Sequence, residues 1–199
     1  MKKKLIGIIF ILFLTLPGSA YAGAPLESVK GHVNEVLDVL RDPSLKTESS
    51  KKIKKEKIQA IAEKMFDFAE LSKRTLAQNW SKFDPAQQKE FINLYTTLLR
   101  DTYVNKIMAY TDEQIVFSSE VGLSGNTFEV RSTVKRRNAG DIPIYYRVIL
   151  KDGSWRVYDV VIEGVSLINN YRSQFREILA NKPPESLLET LRKKVSTKS

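Results

Sequence analysis

Catalysis needs polar groups that converge, and this chain supplies few of them. His32 is the only histidine and there is no cysteine. That excludes a triad drawing on a second histidine, a thiolate nucleophile and any metal site built from cysteines or clustered histidines. No glycine-rich phosphate loop and no nucleophile elbow occurs. His32 falls on the flank of an apolar helical stripe, where a structural role is the ordinary one. One polar row stands out: Ser132, Tyr146 and Asp159, which hairpin arithmetic places side by side across three strands. A carboxylate buried beside a phenol is a general base with a raised pKa. The other reading is a hydrogen-bonded ladder that satisfies Asp159 and fixes the register, or a carboxylate at a pocket rim. With no second acid and no oxyanion donor in sight, the ladder is favoured. No cofactor is called for.

The elements that would position such groups follow from the ends and the periodicity. Lys2, Lys3 and Lys4 precede an apolar run from Leu5 to Leu16, Pro17 and Gly18 break it, and Ala20-Tyr21-Ala22 ends it. A span of about 30 Å needs more residues than that run contains. Residues 1–22 are therefore expected to be a cleaved secretory signal. The mature chain, 23–199, is expected to be a single domain with no stable membrane insertion. No cysteine follows the cleavage site, so no lipid is attached there. An exported chain free of disulfides suits a periplasm. The net charge of +9 falls to +6 without the three leader lysines. Export makes nucleic acid an unsuitable partner for that charge; anionic headgroups, acidic docking surfaces or plain solubility remain open.

Leu26, Val29, Val33, Val36, Leu37 and Leu40 recur at helical spacing, and Pro43 stops that helix. Ile58, Ile61, Met65 and Phe68 repeat the pattern behind a run of lysines (Lys51, Lys52, Lys54, Lys55 and Lys57) that reads as a solvated helix start. Asp84-Pro85-Ala86-Gln87 opens a further helix reaching about Tyr110, with Asp84 as cap and Gln87 reaching back. The period then becomes two. Strands are expected over Ile115–Val121, Thr127–Arg137, Ile142–Lys151 and Ser154–Ile162. Helices follow over Ser166–Ala180 and Pro184–Lys194.

Asp152-Gly153 is a two-residue hairpin turn; it pairs Leu150 with Trp155, Val148 with Val157 and Tyr146 with Asp159. A three-residue loop at 138–140 pairs Val134 with Ile144, Ser132 with Tyr146 and Val130 with Val148. A four-residue turn at 122–125 pairs Ser119 with Phe128 and Phe117 with Val130. One face then collects Ile115, Phe117, Phe128, Val130, Val134, Ile144, Val148, Leu150, Trp155, Val157 and Val161. The fold class is α+β: a twisted four-stranded antiparallel sheet cupping several helices. It is similar to the cone of the nuclear-transport-factor-2-like folds, a likeness of architecture that names no function. Periodicity does not distinguish a filled core from one that encloses a guest.

Three segments carry a more specific likeness: Phe66 to Trp80 (FDFAELSKRTLAQNW), Phe83 to Tyr103 (FDPAQQKEFINLYTTLLRDTY) and Tyr146 to Phe175 (YRVILKDGSWRVYDVVIEGVSLINNYRSQF). In this order they resemble the periplasmic phospholipid-binding proteins of the Mla pathway, the MlaC or toluene-tolerance family. Ala77 stands where many members have glycine. The resemblance implies a non-enzymatic carrier that holds a glycerophospholipid by its acyl chains in an apolar pocket. It also implies partners: an outer-membrane lipoprotein–porin complex and an inner-membrane ABC transporter with a substrate-binding subunit. On that basis Val130, Val134, Tyr146, Val148, Trp155, Val157 and Val161 are expected in the sheet wall. Phe68, Leu71, Leu76, Leu98, Leu167 and Tyr171 are the helical contributors. Asn170, Arg172 and Asp159 stand at the rim or brace the strand-to-helix break, and Arg131, Lys135 and Arg147 dock partners. The alternatives are a small-molecule enzyme using Asp159 and a lipid-free adaptor that binds proteins through its basic face.

Overall fold

The structure is a computed structural model that describes residues 24–110, 113–137 and 139–197. The expected leader lies outside the described residues. Among them are six α-helices and one five-stranded antiparallel sheet with strands in chain order.

Helix α1 (Ala24–Arg41) buries Val29, Val33, Leu37 and Leu40 of the apolar stripe, with Leu26 and Val36 partly buried beside them. Its first turn is held by Glu120, whose Oε2 accepts from the Leu26 N–H at 2.9 Å; a carboxylate there also complements the helix dipole. Pro43 ends the helix and starts a 3-10 turn capped by Asp42. Helix α2 (Lys51–Met65) carries the lysine run in its first half and buries Ile58, Ile61 and Met65. Lys54 Nζ donates to the Leu40 carbonyl, 3.0 Å away, and so caps the C-terminal end of α1.

Helix α3 (Phe68–Leu76) starts at Asp67, whose side chain accepts from the Glu70 N–H. It ends at Ala77, which adopts φ 50° and ψ −124°. That conformation suits glycine and strains any residue with a Cβ. Helix α4 (Pro85–Met108) opens with the expected capping box, Asp84 and Gln87 each bonding the other's backbone N–H. It is apolar on two faces and divides the molecule.

On one side of α4, Phe91 and Tyr95 meet Tyr171 and Phe175 of α5 (Leu167–Leu179), with ring centroids 5.3–5.7 Å apart for Phe91–Phe175 and Tyr95–Phe175. Helix α6 (Pro184–Ser196) adds Leu187, Leu188 and Leu191 to this core. A second core forms where α1 and α2 pack on the sheet through Val130, Val148, Val157 and Val160.

Strands β1 (Gln114–Gly122), β2 (Thr127–Lys135), β3 (Ile142–Lys151) and β4 (Ser154–Ile162) stand close to their expected bounds. The Asp152-Gly153 turn forms with both residues at positive φ (49° and 75°) and gives the expected Leu150–Trp155 and Val148–Val157 pairs. Three details differ. The β2–β3 loop spans 136–141 because Arg136 closes it, its Nε donating to the Gly140 carbonyl at 2.8 Å. The pairs therefore slide by two, to Ser132–Ile144 and Val130–Tyr146; an even slip keeps every side chain on its face. The β1–β2 pairs slide by two up to Phe117–Ser132; a bulge before Ser119 then adds one, so Ser119 pairs with Arg131 and not with the expected Phe128.

The second difference matters most. A bulge in β4 sets both Tyr158 and Asp159 opposite Arg147, after which Val160 pairs with Tyr146 and Val161 with Tyr145. Val160 and Ile162 thus turn toward α1 and α2, while Asp159 and Val161 turn to the other face. The expected row of Ser132, Tyr146 and Asp159 does not form. Third, Glu163 and Gly164 (φ 49° and 82°) make another tight turn, and Val165–Ser166 return as β5. The sheet has five strands and not four.

Asp159 is 1% exposed. It accepts from Arg147 Nη1 at 3.3 Å, Ser166 Oγ at 2.7 Å and the Ile168 N–H at 3.1 Å. It thereby joins β3, β4, β5 and the first turn of α5. Arg147 also donates to Glu129 at 3.2 Å, and Arg131 to the same carboxylate at 3.1 Å.

Two substitutions test these local arguments. Asp159→Ala leaves three donors without their acceptor in a buried place, so urea unfolding should show a loss of about 3 kcal/mol. Ala77→Gly should instead stabilise, by about 1 kcal/mol, because relief of the strained φ exceeds the added freedom of the unfolded chain. A lower urea midpoint for Ala77→Gly would contradict that conformation.

Candidate functional site

Between α1, α2, α4 and the sheet lies a cavity of about 330 Å³. Helix spacing brings its wall together. Val33, Val36, Leu37 and Leu40 come from α1; Ile58, Ile61, Ala62 and Met65 come from α2; Leu99, Tyr103, Val104 and Ile107 come from α4. The sheet contributes Ile115, Ile144, Tyr146, Val160 and Ile162. The β4 bulge is what puts Val160 and Ile162 into this wall. The end toward α3 is formed by Phe66, Phe68, Leu71 and Leu167, the Phe66 and Phe68 rings stacked at 5.4 Å.

Apart from the hydroxyls of Tyr103, Tyr110 and Tyr146, the polar lining comes from two helices. Gln59 and Glu63 project from α2, and Thr96 and Arg100 from α4. Glu63 and Ile107 are also solvent-exposed, so the cavity opens between α2 and α4. Burial pushes the Tyr146 hydroxyl up to about 12, partly offset by a hydrogen bond with Ser132. It stays a neutral phenol at any physiological pH. Among the described residues no group of His, Cys, Asp and Glu side chains could hold a metal ion, and no helix is long and apolar enough to cross a membrane.

A wall of apolar side chains that do not pack against one another offers those contacts to an apolar guest. Apolar cavities stay dry and accept apolar guests.

Of the residues expected in the wall, Phe68, Leu71, Tyr146 and Leu167 line the cavity. Val130, Val148 and Val157 face the same side but are packed under α1 and α2 with 0–1% exposure. Val134 and Trp155 lie on that sheet face outside the lining, Trp155 edge-on to Phe128 at 5.2 Å. Leu76, Leu98 and Tyr171 belong to the helical core on the far side of α4. Val161 is on the opposite sheet face, turned there by the bulge.

Arg172 braces: its Nη2 donates to the Arg74 carbonyl at 2.7 Å, tying α5 to the C-terminal end of α3. Asn170 is exposed on α5 and accepts from Gln174. Asp159 is enclosed on the other face and lies away from the cavity, so a general base aimed into it is not formed. Arg131 and Arg147 are paired with Glu129, and Lys135 with Asp141 at 2.5 Å.

Sequence reasoning missed the α1, α2 and α4 linings, four of the five sheet residues (Ile115, Ile144, Val160 and Ile162), and Gln59, Glu63, Thr96 and Arg100. The stripes of α1 and α4 were legible, but not which half of each faces a space. The α3 end of the cavity is fastened by Asp67. Its N–H donates to the Val157 carbonyl at 2.9 Å, and its Oδ2 accepts from Lys151 Nζ at 2.6 Å. Burial alone would raise the Asp67 carboxyl, but the Lys151 and Glu70 hydrogen bonds outweigh it and hold the group below its ordinary 3.8.

Fold and cavity together define an α+β protein with an apolar pocket between a helical layer and a five-stranded antiparallel sheet. A family model described as MlaC protein matches residues 30–193, and the chain belongs to the MlaC family. It is similar to the toluene tolerance protein ttg2D of Pseudomonas putida, with 23% identity over 159 residues, 79% of this chain and 74% of that protein. It is also similar to the intermembrane phospholipid transport system binding protein MlaC of Haemophilus influenzae, with 24% identity over 127 residues, 62% of this chain and 59% of that protein. Among solved structures it matches a phospholipid-binding protein from Ralstonia solanacearum in complex with a phospholipid. That match has a TM-score of 0.77 and 23% identity, and covers 87% of this chain and 98% of the other. This likeness establishes the shared fold.

Asp67 gives a pH prediction. Its folded pKa is depressed, so its contribution is complete above the unfolded value and is lost as pH falls through the folded one. Asp67→Asn keeps a capping oxygen and removes the charge. It should cost about 1 kcal/mol at pH 7, a modest figure because Lys151 is half exposed. Urea midpoints should converge with those of the unaltered protein well below pH 3.8. A gap that persists unchanged into acid would contradict the ion pair.

Proposed function

We propose that this chain is a periplasmic carrier that binds a glycerophospholipid by its acyl chains and moves it between the outer and inner membranes. The observation that carries this reading is the apolar cavity, open between α2 and α4, in a chain of the MlaC family. The names of its relatives, an intermembrane phospholipid transport protein and a structure with phospholipid bound, support it.

The physical need is plain. Each methylene exposed to water costs about 0.8 kcal/mol, so a diacyl lipid crosses an aqueous compartment only if its tails are covered. An apolar wall reads chain length weakly, which suits a carrier that takes a mixed population of lipids. In this reading residues 1–22 are the export signal and are removed. The partners are an outer-membrane lipoprotein–porin complex that supplies or receives lipid and an ABC transporter's substrate-binding subunit at the inner membrane. Release requires a partner that favours the open state or offers a competing pocket. The chain performs no chemistry on the lipid, and the alternative of catalysis by Asp159 is disfavoured by its enclosure within the Arg147, Ser166 and Ile168 bonds.

The test is native mass spectrometry, with organic extraction, of protein purified from periplasm without detergent. The unaltered protein should carry stoichiometric diacyl phospholipid. Ala62→Trp places an indole in the cavity from α2 and should reduce loading at least tenfold while circular dichroism and the melting transition stay close to normal. A clean lipid-free mass on the folded, unaltered protein would sink the carrier reading.

A further inference from the structure

Arg100 is the one cation among the described residues that line the cavity. It sits one turn beyond Thr96 and one before Tyr103, so all three project from the same stripe of α4. The guanidinium is only partly satisfied. Nε is buried from solvent and has no hydrogen-bond partner. Nη2 reaches Thr97 Oγ1 at a long 3.4 Å. The Asp101 carboxylate stands 3.8 Å from Nε, near enough to hold the charge and too far to accept a hydrogen bond.

A buried donor without an acceptor is costly, and more so on a charged group. The side chain is nevertheless 37% exposed, so a residue of the cavity wall also reaches solvent. A planar guanidinium presents parallel N–H groups that match two oxygens of a phosphate. The cavity below is apolar and the opening above is polar, with the Thr96 hydroxyl one turn away and Gln59 and Glu63 across the gap on α2.

We propose that Arg100 is the headgroup subsite of this cavity. Its guanidinium binds the phosphodiester oxygens of the lipid while the tails occupy the apolar interior. This rests on the carrier reading and adds to it that the protein reads the phosphodiester itself and so distinguishes phospholipids from equally apolar neutral lipids. Glu63 is the one carboxylate among the described lining residues.

The test is a ratio. Displacement of 1-N-phenylnaphthylamine from delipidated protein is followed with dioctanoylphosphatidylglycerol and with dioctanoylglycerol, which share their tails. The unaltered protein should bind the phospholipid about tenfold more tightly, the scale of a hydrogen bond to a charged group. Arg100→Gln should bring the two affinities within a factor of about two, and Arg100→Lys should restore part of the difference as a point charge without the fork. A ratio unchanged in Arg100→Gln overturns the proposal. Inorganic phosphate is the other source of such oxygens. A ratio that survives added phosphate supports a subsite held by the tails, and one that collapses overturns it in favour of a free-anion site. If the unaltered protein binds neither dioctanoyl lipid, the carrier reading itself fails, a result different from losing only the preference.

Discussion

Asp159 is enclosed between the sheet and α5, and the acceptors of its carboxylate are taken up by Arg147, Ser166 and the Ile168 amide. Those bonds fix three things together. They hold the β4 bulge, because Asp159 must stand opposite Arg147 with Tyr158 displaced beside it. They anchor β5 through Ser166, which in turn caps α5 through the Asn169 N–H at 3.1 Å. They also set where α5 leaves the sheet, and so where Tyr171 and Phe175 meet α4. Without the bulge, β4 would keep strict alternation past Val157. Asp159 and Val161 would then face the cavity, and Val160 and Ile162 would leave it. A buried carboxylate on one face of the sheet thus decides the apolar character of the other.

A space of this size collapses unless the elements around it are held elsewhere. Helix α4 provides that by being apolar on two faces. Phe91, Tyr95 and Leu98 lock it into the helical core, leaving Leu99, Tyr103 and Ile107 to stand over the gap. The ends of α1 and α2 are tied down by polar contacts and do not depend on filling the middle: Glu120 at the start of α1, Lys54 at its end, and Asp67 between α2 and α3. Arg41 adds a clasp at the far end, donating to the Tyr110 hydroxyl at 2.6 Å while Tyr110 bonds the Glu113 carbonyl. The wall residues can therefore be chosen for smoothness and not for interdigitation.

Much of this was legible in the sequence. The capping box at Asp84, the stop at Pro43 and the Asp152-Gly153 turn are local chemistry, and each stands where its residues put it. What was hidden had physical causes. Glu163-Gly164 forms the same kind of turn as Asp152-Gly153, but glutamate at the first position is not a turn signal, so β5 read as the start of a helix. The bulge was invisible because Val157 to Ile162 is apolar on both parities around Asp159, and no break in alternation marks it. The longer β2–β3 loop depended on a side chain, Arg136, reaching the Gly140 carbonyl. For the site, periodicity named buried residues correctly, as with Leu76, Leu98 and Val148, yet burial against a neighbour and burial against a void have the same pattern. Arg100 was passed over for the converse reason: on a helix, an arginine four residues from a threonine looks like solvated surface until the mouth between α2 and α4 is seen.

The size and openness of the cavity bear on how a carrier lets go. Covering all the methylenes of two long chains, at about 0.8 kcal/mol each, would exceed the tightest known non-covalent complexes. A pocket that covers on the order of ten of them contributes roughly 8 kcal/mol, a micromolar-class affinity. That is enough to keep a lipid from water during transit and little enough to be reversed. A lipid in a bilayer has its tails covered as well, so exchange between a bilayer and such a pocket is close to balanced. A mouth formed by α2 and α4 fits this role. Helix α4 is locked into the helical core on one face, whereas α2 is held mainly by α1 and by bonds at its ends, so α2 is the wall that can yield with the least loss of packing.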